Sequence, residues 1–331
     1  MANTFETNLD NSIPNRKRES NMIRDASCPI GHFIEDWLYG IKKLEIKDAS
    51  YRRLLVSART FSKSKLSSVP IGELTTPDFQ NYVADLIEEN YSLSTIKKQM
   101  LLVSAAMRYA YEQRIIHFNP CTSIKTPSKS RVKKETKSIV AFTTEEQTKL
   151  LEVLAQHKHV AYYAMELMLE TGMRVGETLA LSWKDINLQR RSIYVHATVV
   201  NPANQGKSYV QEGAKSDTSN RVIALSPKAV EILSTLKDLS CDNEFVFVGS
   251  RGIRLAYESL RKQCKKVCEE AGVRYLGLHV WRHTFATNHY YKGTDIKILS
   301  KLLGHANTTI TYNIYIHLYG DGFDDMLKAV S

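Results

Sequence analysis

The sequence has no apolar run approaching the roughly 18 to 20 residues that cross a bilayer. Its first thirty residues, with Asp10, Arg16, Lys17, Arg18 and Asp25, lack the apolar stretch of a secretion signal. These absences predict a cytoplasmic chain with no membrane partner. Cysteine is scarce: Cys28, Cys121, Cys241, Cys264 and Cys268 are an odd set scattered over 331 residues. That excludes a disulfide framework and suits free, partly buried thiols in a reducing compartment. No Gly-x-x-x-x-Gly-Lys-Ser/Thr phosphate loop and no cluster of carboxylates spaced for a metal occurs. No period repeats along the chain, which removes solenoids and propellers.

What the sequence does have is positive charge. Lys and Arg total 45 against 35 Asp and Glu, a net charge of +10, and that surplus favours an acidic partner, nucleic acid ahead of a membrane surface. Hydrophobic residues at 43% and charged residues at 24% are ordinary globular usage, so the chain folds. At about one domain per 150 residues, its length predicts two domains.

Residues 1–28, rich in Asn, Ser and balanced charge, read as a flexible lead-in. A helical period then appears at Phe33, Trp37, Ile41 and Leu44, and another segment lies around Tyr51 to Phe61. A helix starting at Thr76-Pro77-Asp78 carries Phe79, Val83, Leu86 and Ile87. The next carries Ile96, Met100, Val103, Met107 and Ala110 and stops before Asn119-Pro120. Together they predict an all-helical domain over 29–122. Residues 123–140 read as a basic linker: from Lys125 to Lys137 there are six basic residues, one acidic residue and almost nothing apolar. A second domain, 141–331, opens with capping-box spacing at Thr143 to Glu146. It alternates like a strand through Ile193, Val195, Ala197 and Val199 and again over Arg221 to Leu225, and is otherwise helical. The expected fold is mainly α with a small antiparallel β-sheet.

Three clusters in the second domain carry polar residues that the local pattern does not need. In Glu170-Thr171-Gly172-Met173-Arg174-Val175-Gly176-Glu177 one helix ends and another starts, placing Arg174 beside free N–H groups that suit an anion. Taken alone, this cluster fits a surface ion pair between Arg174 and Glu177 better than an anion site. In Leu278 to Thr287, His279 and His283 have the i, i+4 spacing of helical zinc ligands. However, Val280 stands where a zinc hydrolase needs Glu, and no third ligand is evident, so no metal is expected. His279 and Arg282 share a helical face and can hold a phosphate and move a proton. The third cluster is Leu302-Leu303-Gly304-His305, followed ten residues later by Tyr315 in Asn313-Ile314-Tyr315-Ile316-His317.

In order and spacing, these strings resemble the tyrosine recombinases, or phage-type integrases. The resemblance spans both domains, although only the C-terminal motifs are specific. It implies an N-terminal core-binding (SAM-like) DNA-binding domain and a C-terminal catalytic domain. It also implies a site-specific recombinase that cleaves and rejoins DNA through a 3'-phosphotyrosyl intermediate. Arg174 and Arg282 would hold the scissile phosphate, with His279 and His305 in the pocket, Tyr315 as nucleophile and Glu177 in support. Lys215 matches the lysine of the family's sheet turn, and Lys207 is the runner-up. Tyr312 and Tyr319 are rivals to Tyr315, and helical geometry alone does not separate them. Double-stranded DNA, self-association as a tetramer in synapsis, and accessory DNA-bending proteins are the implied partners. No cofactor is implied.

The chemistry asks for such residues. A phosphodiester repels a nucleophile, so cations must already stand in place, and guanidiniums stay protonated and fork onto two oxygens. A phenol with an ordinary pKa of about 10 needs help to lose its proton, and the departing 5'-oxygen needs one supplied. Lys97 and Lys98, with Lys125, Lys129, Arg131, Lys133 and Lys134 of the linker, are candidates for backbone phosphates, although a solvated basic face reads the same way. A non-catalytic DNA-binding regulator on the same fold and a relaxing enzyme of the type IB topoisomerase kind remain as alternatives.

Overall fold

The computed structural model describes residues 25–132, 140–200, 208–213, 220–240, 243–249 and 252–316. The chain folds as two compact units, Met1–Thr136 and Lys137–Ser331. None of the described helices is long and apolar enough to cross a membrane.

The first unit is helical. Helix α1 (Ile30–Trp37) buries Ile30, Phe33, Ile34 and Trp37, one stripe at 3.6-residue spacing. Its continuation departs from the sequence expectation. A π turn over Leu38–Lys42 intervenes before the short α2 (Lys43–Glu45), leaving Ile41 only half-buried and Leu44 85% exposed. Each residue turns an α-helix by about 100°, so the wider turn swings the later positions off the core face.

Helix α3 (Asp48–Phe61) follows. Next comes α4 (Thr76–Glu88), opened by a capping box between Thr75 and Asp78, with Pro77 in the first turn where its missing N–H costs nothing. Helix α5 (Leu93–Glu112) is capped by Ser92, whose Oγ accepts from the Thr95 N–H at 3.2 Å. It buries Ile96, Met100, Val103, Met107 and Ala110, as the periodicity predicts.

The first helix of the second unit is held by a capping box. In α6 (Thr144–Gln156) the Glu146 N–H donates to Thr143 Oγ1 (3.1 Å), and the Thr143 N–H donates back to Glu146 Oε2 (2.8 Å). Helix α7 (Val160–Thr171) is the buried axis. It packs against α9 (Pro227–Ser240), α10 (Tyr257–Glu270) and α11 (His279–Tyr291). The core runs through Leu150, Met165, Met168, Leu233, Phe247, Leu260 and Trp281. A satellite cluster of Phe285, Ala286, Leu299 and Leu303 joins α11 to α12 (Ile296–Leu303), and α13 (Thr308–Ile316) follows.

The strand signals resolve into two small antiparallel sheets. Strands β1 (Ile186–Asn187), β2 (Ser192–Val195) and β5 (Arg221–Ala224) form one in the order β1-β2-β5, with Ile193 opposite Ile223. Strands β3 (Ala197–Val200) and β4 (Tyr209–Glu212) form the other. The alternation from Ile193 to Val199 is thus broken at His196, whose ring is hydrogen-bonded to Asp185 Oδ1 at 3.0 Å. Strand β3 lies against the short helix α8 (Val175–Ala180), which carries Glu177.

Of the five cysteines, Cys121, Cys264 and Cys268 are buried free thiols and Cys28 is partly buried; Cys241 lies outside the described residues.

Gly172 ends α7 in the left-handed conformation, φ 65°, and a Cβ there would lie 2.4 Å from the Phe285 ring. Both the backbone and the packing therefore require glycine. Gly172→Ala is expected to lose about 2 to 4 kcal/mol of stability, combining overpacking with left-handed strain. Urea unfolding of the two proteins measures it, and equal midpoints would refute it.

Candidate active site

Two helix ends and two element starts converge in the second unit. The left-handed turn at Gly172 places Arg174 at the head of α8, and Gly304, φ 62°, ends α12 in the same way, directing His305 back towards α11. A helix end leaves its last carbonyls without helical partners. Here arginines take them. Arg282 Nη1 donates to Gly172 O (2.7 Å) and its Nη2 to Leu303 O (2.7 Å). Arg174 Nη2 donates to Gly304 O at 3.0 Å.

Among the described residues Glu177 is the one carboxylate bonded to these arginines. Its Oε1 accepts from Arg174 Nη1 (2.7 Å), and its Oε2 from the Arg174 backbone N–H (2.9 Å). The ion pair inferred from spacing therefore forms, but it is not a surface pair, because Glu177 is only 6% exposed. A second guanidinium grips the same carboxylate: Arg221 Nη1 to Oε1 at 3.2 Å and Nη2 to Oε2 at 2.8 Å. Burial pushes the Glu177 carboxyl up. The hydrogen bonds and charge of Arg221, with the charge of Arg174, outweigh it and hold the pKa down at about 2.

His305 lies between Arg282 and α13. Arg282 Nη2 is 2.9 Å from its Nε2, and its Nδ1 is 2.8 Å from Thr311 Oγ1. A guanidinium only donates, so Nε2 accepts and the proton sits on Nδ1, donated to Thr311. Burial, then the charges of Arg282, Arg174 and Arg221, push the His305 pKa down to about 3. His279 keeps solvent-facing surface, yet desolvation by the protein around its ring, then Arg282 and Arg174, lower its pKa as well. The His283 ring sits 5.4 Å from that of His279, edge to face, with its pKa lowered to about 4 by burial and then by His279 and Arg282. Among the described residues no group of three His, Cys, Asp or Glu could hold a metal ion.

The structure thus brings together Arg174, Glu177, Arg282 and His305, with His279 within electrostatic reach of both arginines. The backbone of Tyr315 lies in α13. Lys215, Lys207 and Tyr319 lie outside the described residues, as do Lys133 and Lys134. Lys97 and Lys98 are exposed on α5, Lys125 and Arg131 are exposed, and Lys129 lies in a 3-10 turn.

Arg221 and Thr311 escaped the sequence reading. Arg221 did carry a signal: it shares strand parity with Ile223 and Leu225, all buried, while Val222 is 64% exposed. An arginine on the inward register of a strand needs a buried anion. Thr311 carried none, since threonines are frequent in that segment.

A sequence model of the phage integrase family matches residues 134–321, and the chain belongs to that family. It is 28% identical over 312 residues to a tyrosine recombinase XerC-like protein of Caldanaerobacter subterraneus, covering 87% of this chain and 79% of the relative. It is 25% identical over 290 residues to the ICEBs1 integrase of Bacillus subtilis, covering 81% of this chain and 74% of the relative. The fold is shared with the Tn1549 transposon integrase in complex with a circular intermediate DNA, at a TM-score of 0.78 and 20% identity. That match covers 92% of this chain and 100% of that one. It is shared too with a lambda integrase tetramer bound to a Holliday junction, at a TM-score of 0.66 and 20% identity, covering 88% and 78% of the two chains.

The lowered histidine pKa values set an acid limit on stability. Between about pH 3 and 6.5 the unfolded chain binds protons at His305 and His283 that the folded chain refuses, so stability falls as pH falls through that window. Urea unfolding at pH 7 and pH 5 should show the loss, and His305→Asn should make it shallower. An unchanged slope would show that His305 is not held neutral.

Proposed function

We propose that this chain is a site-specific DNA recombinase that cuts a strand of double-stranded DNA by attack of Tyr315 on the scissile phosphate. Family membership and the assembled cluster of Arg174, Arg282, His305 and Glu177 support this reading, and the cluster carries it. Within it, Arg174 and Arg282 bind the phosphate oxygens and stabilise charge as the bond changes. Among their described partners Arg282 meets two neutral carbonyls and a neutral imidazole, and Arg174 a carbonyl and the Glu177 carboxylate, so for Arg282 above all a transition state with dianionic phosphate character is a stronger acceptor.

His305 is neutral at physiological pH. It therefore orients Arg282 and α13 rather than supplying a proton. His279, with its pKa lowered and part of its surface open to solvent, is the candidate acceptor of the phenol proton, and Lys215 is the candidate donor to the departing 5'-oxygen. Tyr315 follows His305 by ten residues in a Tyr-x-His context, and its backbone lies in α13. Tyr312 is 55% exposed, which favours Tyr315 over it. The phosphotyrosyl ester conserves the energy of the broken phosphodiester, so the 5'-hydroxyl of a partner strand can reverse the attack and complete the exchange.

The helical domain of residues 29–122 and the linker of 123–140 are the proposed holders of the duplex, through Lys97, Lys98, Lys125, Lys129, Arg131, Lys133 and Lys134. Exchange between two sites needs four strand cuts, hence a tetramer of chains on paired DNA, in keeping with the lambda integrase tetramer on a Holliday junction. Accessory DNA-bending proteins are a further proposed partner.

Nicked suicide duplexes tiling the DNA that flanks the gene provide the test. The wild type should form a covalent protein–DNA adduct, and Tyr315→Phe should bind the same duplex and form none. An adduct with Tyr315→Phe would reject the nucleophile, and no adduct with the wild type would favour a binding-only protein. Arg174→Ala and Arg282→Ala should keep binding and slow cleavage by about 10²-fold or more. Replacing both Lys133 and Lys134 by Ala should lower the slope of log affinity against log salt by roughly 0.9 per lost phosphate contact. An unchanged slope would make them a solvated tether.

A further inference from the structure

Arg221 is a charged side chain at a buried strand position that alternation would give to an apolar residue. It is the first residue of β5, 8% exposed, and its guanidinium reaches three elements at once. Nε donates to Leu302 O at the end of α12 (2.7 Å), and the two terminal nitrogens fork onto Glu177 of α8 (3.2 and 2.8 Å). The turn after α12 is shaped around it: a Cβ on Gly304 would lie 2.8 Å from Arg221 Nη1. Gly304 in turn offers its carbonyl to Arg174, whose other terminal nitrogen is on Glu177. Both partners of the Arg174 guanidinium, Glu177 and Gly304, are therefore held by Arg221.

We propose that Arg221 is a positioning residue for the phosphate site, acting through Glu177 and the Gly304 turn to set where Arg174 points and how strongly Glu177 holds it. This rests on the recombinase reading above. A lone Glu177 would face two alternatives. It could close both oxygens on Arg174, taking donors that the phosphate needs, or it could take up a proton in its buried place and release Arg174 altogether. A second guanidinium on the same carboxylate excludes both. It engages each oxygen, so Arg174 keeps a single side-chain contact with Glu177, and it stabilises the anion against burial.

Arg221→Gln and Arg221→Lys test this on the full chain with the suicide duplexes. Single-turnover adduct formation at saturating protein should slow by about 10²-fold in Arg221→Gln, as expected of a displaced binding group, with DNA affinity within about threefold of the wild type. The Gln variant should also gain an acid limb in its rate as the Glu177 carboxyl returns to or above the ordinary range of about 4 to 5. Arg221→Lys, which keeps the charge without the fork, should remove that limb while staying slower than the wild type.

A wild-type rate and pH profile in Arg221→Gln, or a parallel loss of DNA binding, would overturn the inference and leave a structural arginine. Where the Gln variant does not fold, the Lys variant decides: a slower rate at unchanged affinity supports the inference and an unchanged rate overturns it. Carboxyl carbon NMR titration of the DNA-free protein separates this from the functional reading. A wild type that forms no adduct refutes the recombinase. The titration still decides between a Glu177 that Arg221 keeps charged, which shifts up in Arg221→Gln, and one it does not.

Discussion

The carboxylate of Glu177 is the constraint on which the second unit's site depends. It is buried, so its charge has to be answered nearby, and it is answered twice, by Arg174 on its own helix and by Arg221 from the sheet. Those two contacts fix the start of α8 to the start of β5. Arg221 and Arg174 then extend to the end of α12 through Leu302 O and Gly304 O, and Arg282 joins that end to the close of α7. Five elements, α7, α8, β5, α11 and α12, are thus fastened through three guanidiniums, and each guanidinium lies against carbonyls that a helix end leaves exposed. Such ends carry partial negative charge, which is why cations gather there without needing carboxylates of their own.

This arrangement explains why lysine would not substitute at Arg174, Arg221 or Arg282. Each of these side chains meets partners on two different elements at fixed angles, and only a planar fork does that while staying charged. It also explains the need for glycine at Gly172 and Gly304. The carbonyls that the arginines use are at or beside left-handed turns, and at both positions a side chain would strike a neighbour, Phe285 in one case and Arg221 in the other. The backbone conformation and the cation positions are therefore one feature, not two.

Much of this was legible beforehand. The caps at Thr75 and Thr143 and the apolar stripes of α1, α4 and α5 follow local rules, and Arg174, Arg282 and His305 stand in motifs with fixed spacing. What was not legible depends on contacts between distant segments or on small changes of helical pitch. The π turn after Trp37 inserts one extra residue into a regular period and turns Leu44 outwards. The split of one alternating run into β2 and β3 follows from pairing with two different partners, which alternation cannot report. Glu177 looked like half of a surface pair because sequence spacing shows Arg174 three residues away and cannot show Arg221 across the sheet. Arg221 itself was visible as an arginine on the inward parity of a strand, a pattern that asks for a buried anion before any fold is known.

The charge balance of the cluster then bears on how it waits for DNA. Among the described residues Arg174 and Arg221 share the Glu177 carboxylate and Arg282 stands close by, so guanidiniums outnumber carboxylates in this cluster. Burial comes first in lowering the pKa values of His279, His283 and His305, and the charge of nearby arginines adds to it. A protonated His305 would repel Arg282 and lose the acceptor that Arg282 uses. Kept neutral, it fixes one tautomer, with Nε2 towards the arginine and Nδ1–H towards Thr311. Burial and this charge together keep the surrounding histidines neutral, and on the proposed function a bound phosphate would partly relieve the charge. Binding of the phosphate should therefore raise the proton affinity of these histidines at the moment when a phenol proton needs somewhere to go.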